Sequence, residues 1–231
     1  MKYSLATAVA LAASPAFAAS PNADRPSVSR SGFLVADDTL EMETGLAFQD
    51  RTTTVPSTLK YSVKGVVEPR LSADFSGFDT GNPALEAGAK IRLVSTEDVG
   101  LALFAASAIP LRTEPWYGTF QGLLTLPFDN GMSLQFNGGL LFVEAGYAGI
   151  PFAGAFGFPI AGNFSGFVEV AAVLGDAQCG GGCAASNGVI DGGLAWGLTE
   201  ILSVDIGAGY DLDDSQIFGA TGLTANFGAF R

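Results

Sequence analysis

Apolar residues alternate with small or polar residues along most of the chain from Thr39 onward. Between positions 202 and 206, leucine, valine and isoleucine occupy the even positions, whereas serine and aspartate occupy the odd ones. Successive side chains of a β-strand point to opposite faces, so this period of two predicts strands. An α-helix, with its 3.6-residue period, would scatter the same residues around its surface.

Short polar turns recur at nearly regular intervals along this region, near 64–65, 95–98, 129–131, 161–163 and 198–200. More variable connections lie between them, at about 50–57, 76–83, 111–115, 144–150, 175–186 and 211–215. Short turns at one end and longer loops at the other are typical of an outer-membrane barrel. This pattern places both ends of the barrel on the short-turn, periplasmic side.

The spacing predicts an all-β fold, an antiparallel up-and-down transmembrane β-barrel of about twelve strands, although ten or fourteen strands also fit. The strands are expected at 39–49, 58–63, 66–75, 84–94, 99–109, 116–127, 131–142, 152–160, 163–174, 187–197, 201–210 and 216–230. A secreted β-sandwich is the main alternative, but the polar positions along its strands would carry many charged residues. Here the polar positions are occupied mostly by Gly, Ser, Ala, Asn and Gln, which favours the barrel.

The first residues are typical of a secretory signal peptide. Lys2 precedes a short apolar stretch, and Ala16-Phe17-Ala18 matches the small-x-small cleavage pattern. We therefore expect residues 1–18 to be a signal peptide, 19–38 a flexible N-terminal tail or a small lumenal plug, and 39–231 the barrel. The expected location is the outer membrane of a Gram-negative bacterium.

The composition excludes several kinds of catalytic and binding site. The 231 residues include no histidine, which removes histidine general bases and histidine-ligated metals. The formal net charge of −12 argues against a nucleic-acid partner, because phosphate binding needs clustered Lys and Arg. We therefore expect no enzyme activity, no cofactor, no metal site and no catalytic residue.

Strand parity turns a set of charged residues toward the lumen, since a midplane Arg or Lys on the lipid face would cost about 2–4 kcal/mol. The candidates for a lumenal solute path are Lys60, Glu68, Arg70, Glu86, Lys90, Arg92, Glu169, Asp191 and Asp205. Two interpretations are open. The charges either form a packed network of ion pairs, or the basic ones form a stripe that faces the last three acidic ones across the pore and orients polar solutes.

Cys179 and Cys183 are separated by three glycines in one of the longer connections. The route through the periplasm is oxidising, so this pair is expected to form a disulfide, with free thiols as the alternative. Glycine gives the backbone the freedom that such a short ring requires.

Several segments resemble one outer-membrane family. The run from Asp191 to Asp214 is similar to the penultimate hairpin of the transporter-like barrels labelled "MetA-pathway of phenol degradation". Ala89–Leu93, Ala108–Pro110 and Gly166–Glu169 are similar to motifs that occur in that family in the same order. The resemblance covers about residues 39–231 and implies a small outer-membrane barrel that passes small molecules, including hydrophobic or aromatic ones.

Three functions follow as hypotheses. The first is a porin-like transport barrel for passive passage or binding of a small-molecule solute. The second is a structural or surface-interaction barrel with a closed lumen, and the third is a lipid enzyme, which the missing histidine disfavours. The expected partners are outer-membrane lipids, a small solute and the barrel-assembly machinery. The sequence ends Phe230-Arg231, whereas barrels usually end on the aromatic residue that this machinery reads.

Overall fold

The computed structural model describes residue 24 and residues 29–49, 52–76, 84–110, 116–143, 146–174, 188–213 and 215–229. Twelve β-strands lie within them. Their bounds are β1 (Thr39–Gln49), β2 (Thr52–Tyr61), β3 (Val67–Ser76), β4 (Ala84–Ser95), β5 (Gly100–Pro110), β6 (Tyr117–Pro127), β7 (Ser133–Val143), β8 (Gly146–Ala161), β9 (Phe164–Leu174), β10 (Val189–Gly197), β11 (Leu202–Asp211) and β12 (Gln216–Ala229).

The strands form one closed antiparallel barrel. Each strand pairs with its neighbours in sequence, and β1 also pairs with β12. In this closing pair, Thr39 lies opposite Ala229 and Gly45 lies opposite Gly222. Closure pairs the backbone N–H and C=O groups of the two sheet edges with each other. Each of these groups would cost several kcal/mol if it had no hydrogen-bond partner in lipid. The predicted twelve-stranded barrel is confirmed.

The two faces of the strands differ as the alternation predicts. On β9, the Glu169 side chain is 2% exposed, whereas Val168 and Val170 on either side are 53% and 50% exposed. Other strands carry outward apolar side chains in the same way, among them Leu46, Ile91, Phe136, Leu194 and Ile206. An apolar exterior around a closed barrel is the lipid-facing surface of an outer-membrane protein. The predicted location in the bacterial outer membrane is therefore confirmed.

The second strand begins earlier than predicted. The sequence places a connection at 50–57, but β2 already begins at Thr52. Pro56 suggests a break, because proline cannot donate a hydrogen bond to a neighbouring strand. The structure accommodates Pro56 inside β2, and the β1–β2 register passes directly from Thr44–Ser57 to Ala47–Thr54.

The eighth strand is also longer than predicted. It runs over Gly146–Ala161, so the connection predicted at 144–150 is wrong. Its glycines and Pro151 read as loop in the sequence, yet Gly146 and Gly149 pair with β7 on either side of a register shift between Leu141 and Phe142, and Pro151 pairs with Val173 on β9. Gly149 also allows close packing, since a Cβ there would lie 2.8 Å from the Val173 side chain. The other ten strands begin and end within two residues of the predicted bounds.

The connections complete the fold. Lys64 and Gly65, a predicted turn, have φ angles of 50° and 59°, which suits the type I′ turn of a tight hairpin. Cys179 and Cys183 belong to the connection between β9 and β10 and lie outside the described residues, so their disulfide stays a prediction. Within the described ranges, no helix has the length and apolar character needed to cross a membrane.

Candidate functional site

Lys60 on β2 lies at the centre of a buried group of charges on one wall of the lumen. Its Nζ is 2.9 Å from Glu41 Oε1 and also contacts the Glu43 carboxylate, both on β1. Glu41 lies directly opposite Lys60 in the β1–β2 register. The alternation that turns these side chains inward therefore also brings them into contact.

Asp24, which precedes the barrel strands, supplies a carboxylate that joins three cations. It contacts the Arg70 guanidinium, while its oxygens lie 3.4 Å from Lys60 Nζ and 3.9 Å from Lys90 Nζ. Burial acts to raise the pKa of Asp24, but the charges of Arg70, Lys60 and Lys90 outweigh burial and hold that pKa well below its usual value. The Asp24 carboxyl is therefore ionised at neutral pH.

Glu68 on β3 completes the group. Its Oε1 lies 3.2 Å from Arg70 Nε and 3.7 Å from Lys90 Nζ. Its Oε2 accepts a hydrogen bond from the Val35 backbone N–H at 2.7 Å, and Lys90 donates to the Phe33 carbonyl oxygen at 3.1 Å. We call the whole set the ionic cluster; its members are Asp24, Glu41, Glu43, Lys60, Glu68, Arg70 and Lys90.

We call residues 29–38 the N-terminal segment, and residues 29–35 of this segment lie inside the barrel. Their backbone N–H groups donate to inward-facing side chains on several strands. These bonds join Ser29 to Glu169 Oε2 at 2.7 Å, Arg30 to Asn137 Oδ1 at 2.6 Å and Gly32 to Thr125 Oγ1 at 2.8 Å. Val35 is hydrogen-bonded to Glu68 on β3, and Ser29 is hydrogen-bonded to Glu169 on β9. The segment therefore crosses the lumen from one wall to another.

The segment approaches the wall formed by β5 and β6 too closely for a side chain at position 32. A Cβ on Gly32 would overlap the Gly100 carbonyl oxygen and lie 3.0 Å from the Leu123 carbonyl oxygen. In turn, the Phe33 ring would lie 2.9 Å from a Cβ placed on Gly100. Two glycines thus permit this contact between the segment and the barrel wall.

The same wall carries apolar side chains that face inward. Leu34 packs against a cluster that we call the apolar patch, formed by Ala102, Phe104, Ala106 and Leu123. The Arg30 guanidinium carbon lies 4.5 Å from the centre of the Phe104 ring, and that of Arg70 lies 5.6 Å from it. A cation over an aromatic face is favourable, so Phe104 links the patch to the charged part of the lumen.

A second acidic region lies on the β9–β11 wall. Asp191 on β10 is directly opposite Glu169 on β9, and both side chains are buried. Asp205 lies further along β11, next to Gly222 on β12; a Cβ on Gly222 would be 2.6 Å from Asp205 Oδ2. We call Glu169, Asp191 and Asp205 the acidic wall.

The structure places the predicted lumenal residues as follows. Two of them, Glu86 and Arg92, are half-buried. The other seven are buried, namely Lys60, Glu68, Arg70, Lys90, Glu169, Asp191 and Asp205. Glu86 Oε1 lies 4.0 Å from an Arg30 Nη2 atom. Lys60, Arg70 and Lys90 come together around Asp24, on a different set of strands from the acidic wall. Their role in solute passage stays a prediction.

Asp24 and Arg30 belong to this site, although the sequence pattern did not reveal them. Both precede the alternating region, so strand parity carries no information about their direction. One hint exists: Asp24 is the only acidic residue before Asp37. Within the described ranges, no three His, Cys, Asp or Glu side chains lie close enough to hold a metal ion.

Solved outer-membrane proteins have a similar fold. The KdgM porin matches with a TM-score of 0.68 at 8% identity, over 81% of this chain and 99% of that chain. The NanC porin matches with a TM-score of 0.61 at 8% identity, over 80% and 98%. An outer-membrane channel from Pseudomonas putida F1 matches with a TM-score of 0.53 at 11% identity, over 84% and 97%. No family model and no curated protein matches the sequence.

Proposed function

We propose that the protein is a passive outer-membrane channel for small solutes and not an enzyme. The observation that carries this proposal is the contrast between an apolar exterior and an interior lined with charged and polar side chains. Such an interior suits water and polar solutes, whereas a barrel that served only as a membrane anchor has no need for it. A KdgM porin has been solved in complex with disordered oligogalacturonate, so a barrel of similar fold binds a solute.

The solute path runs along the nine predicted lumenal residues, and the N-terminal segment is a plug that narrows it. The hydrogen bonds from Ser29, Arg30, Gly32 and Val35 to the barrel wall support this role. Residues 1–18 are removed on export, so that the mature chain begins at Ala19 and residues 19–38 are free to enter the lumen. The first residue of the mature chain can be checked by N-terminal sequencing.

Hydrophobic or aromatic solutes are the finer part of the proposal. The apolar patch gives one wall of the lumen a surface for apolar groups, and Phe104 offers it an aromatic ring. The resemblance to the family labelled "MetA-pathway of phenol degradation" points to the same class. Outer-membrane lipids surround the barrel, and the barrel-assembly machinery inserts it.

Ion conductance of the refolded full-length protein in a planar bilayer tests the channel. Discrete conductance steps are expected, and their size or selectivity should change in Lys90→Ala and Glu169→Ala, since both side chains are buried in the lumen. An exposed acidic residue in a turn, changed in Glu200→Gln, is the control and should leave the steps unchanged. The absence of conductance from protein that is shown to be folded would contradict the passage of solutes.

One observation favours a second function, a closed structural or surface-interaction barrel. The ionic cluster and the Lys90–Phe33 hydrogen bond hold the N-terminal segment inside the lumen. If the segment never leaves, the lumen stays closed and the outer connections carry the function. Swelling of proteoliposomes in small sugars separates the two functions, because only an open channel lets the sugar enter.

A further inference from the structure

Three buried cations of the barrel wall converge on one carboxylate that does not belong to the barrel. Arg70 on β3 contacts the Asp24 carboxylate. Lys60 Nζ on β2 and Lys90 Nζ on β4 lie 3.4 Å and 3.9 Å from oxygens of the same carboxylate. Asp24 precedes every strand, whereas the three cations come from adjacent strands. The barrel wall therefore builds a position for a carboxylate, and the N-terminal chain fills it.

This position favours a negative charge even though the wall carries acidic residues of its own. In the described part of the chain, three carboxylates of the wall lie within 4.0 Å of these cations, namely Glu41, Glu43 and Glu68. The cations nevertheless hold the pKa of Asp24 well below its usual value, against the effect of burial. A negative charge is thus stabilised here by more than its desolvation costs. The same holds for any carboxylate that reaches these atoms.

An apolar surface adjoins the carboxylate position. Lys90 on β4 lies directly opposite Phe104 on β5, and both side chains are buried. The Arg70 guanidinium carbon lies 5.6 Å from the centre of the Phe104 ring. Phe104 is a member of the apolar patch, so two of the three cations border that patch. A ligand that touches both surfaces needs a negative group beside an apolar one.

The N-terminal chain covers the apolar surface as well. Leu34 packs against the apolar patch, and the Arg30 guanidinium carbon lies 4.5 Å from the centre of the Phe104 ring. The Ser31 backbone N–H donates to Asp24 Oδ1 at 3.2 Å, which joins Asp24 to the N-terminal segment. The chain before β1 thus presents a carboxylate to the cations and an apolar side chain to the patch.

We propose that Lys60, Arg70 and Lys90, together with the apolar patch, form a binding site for a small solute that carries a carboxylate beside an apolar or aromatic group. In the solute-free protein, Asp24 and Leu34 occupy this site. A solute of this class competes with the N-terminal segment and displaces it from the lumen. This inference rests on the proposed channel function, to which it adds a class of solute and a means of opening the lumen.

Isothermal titration calorimetry on the refolded full-length protein tests the site, with sodium benzoate as the probe. Asp24→Asn removes the internal carboxylate and should bind benzoate about tenfold or more tightly than the wild type, because an internal competitor no longer reduces the population of the free site. Asp129→Asn, in an exposed turn, changes the net charge by the same amount and should bind like the wild type. Adding Arg70→Gln to Asp24→Asn should abolish the gain in affinity.

Two further probes separate the charged part of the site from its apolar part. Benzamide has the shape of benzoate without its charge and should bind about tenfold or more weakly, since charge-assisted hydrogen bonds are the stronger ones. Sodium acetate has the charge without the ring and should also bind more weakly than benzoate. Equal affinities for benzoate and benzamide would overturn recognition by the cations. Equal affinities for benzoate and acetate would overturn the role of the apolar patch.

The variants also define the results that overturn the site as a whole. The proposal fails if benzoate binds to neither the wild type nor Asp24→Asn in protein whose strand content is confirmed by circular dichroism. It also fails if both proteins bind benzoate with the same affinity, because Asp24 would then not occupy the site.

Hydrogen exchange measures the displacement of the N-terminal segment. At constant pH, the amides of residues 29–35 should exchange faster in saturating benzoate than in the same concentration of benzamide. These amides donate to side chains of the barrel wall in the solute-free protein. Unchanged exchange with benzoate bound would overturn the competition between solute and segment.

Conductance in a planar bilayer keeps this inference separate from the channel function, because binding is measured without any flux. Protein that binds benzoate but never conducts contradicts the channel and leaves the site intact. Protein that conducts but binds no benzoate contradicts the site and leaves the channel intact.

Discussion

The Asp24 carboxylate contacts the Arg70 guanidinium inside the barrel, although the two residues are 46 positions apart. Arg70 belongs to the barrel wall, and Asp24 belongs to the chain that precedes it. This ion pair ties the position of the N-terminal chain to the charges of β2–β4. Changes at Asp24 therefore report on whether the N-terminal segment restricts the lumen.

Asp24→Asn should release the N-terminal segment. Removing one partner of a buried charge pair costs about 3–5 kcal/mol when the other charge is left uncompensated. Arg70, Lys60 and Lys90 each keep another carboxylate within 4.0 Å, so the cost of Asp24→Asn should lie below that range. The measurement is the rate of tryptic cleavage at Arg30 in the folded protein, which follows the population of the released form. Asp129→Asn, in an exposed turn, should be cleaved at the wild-type rate. Equal rates for all three proteins would show that Asp24 does not retain the segment.

Docking of the segment should resist mild acid. The pKa of Asp24 is held well below its usual value of 3.8, so protons bind more tightly to the released form than to the docked form. The contribution of Asp24 is therefore fully present above pH 3.8 and is lost as the pH falls further. Hydrogen exchange of the amides of residues 29–35, corrected for its intrinsic pH dependence, measures this. Release with a midpoint above pH 3.8 in the wild type would contradict the charge network.

Gly32→Ala should also release the segment, but without a change in charge. The added Cβ would overlap the Gly100 carbonyl oxygen, which belongs to the backbone and cannot move aside cheaply. The expected result is faster tryptic cleavage at Arg30, as for Asp24→Asn. Gly138→Ala is the matched control, since a Cβ at that position meets no atom within 4 Å. A wild-type rate for Gly32→Ala would mean that the segment does not pack as described.

Val168→Arg should destabilise the barrel in lipid. Val168 is 53% exposed on the outer face of β9, and an arginine near the bilayer midplane of a barrel costs about 2–4 kcal/mol. Denaturant unfolding from lipid vesicles measures the change in the free energy of unfolding. Ile201→Arg, in the turn between β10 and β11, provides the comparison, with a cost of about 0–1 kcal/mol near the interface. Similar costs at both positions would contradict the lipid-facing assignment.

Cys179 and Cys183 should be oxidised to a disulfide in protein isolated from the outer membrane. The oxidising periplasm favours the bond, and the three intervening glycines let the short ring close. Thiol alkylation before and after reduction, followed by mass spectrometry, measures the free thiols. Protein expressed in the reducing cytoplasm and kept in reductant is the control that should be fully alkylated. Free thiols in the exported protein would contradict the prediction.

The barrel itself could be predicted from the sequence. The alternation of apolar and polar residues and the regular turns determine the strands, the outward apolar face and the inward charges. The alternation and the turns could be recognised because each depends on residues that are close in sequence. The two errors, at Pro56 and at Gly146–Pro151, arose where glycine and proline imitate a loop. There, pairing with neighbouring strands stabilises an extended backbone that the local residues alone do not favour.

The contacts inside the lumen could not be predicted in this way. The sequence by itself determined that Lys60, Arg70 and Lys90 face inward, but not which carboxylates they meet. Only the tertiary structure decided that Asp24 reaches all three cations and that Asp191 lies opposite Glu169. The physical reason is that strand parity sets the direction of a side chain, whereas its partners depend on register, on closure of the barrel and on the path of a chain segment that has no periodicity.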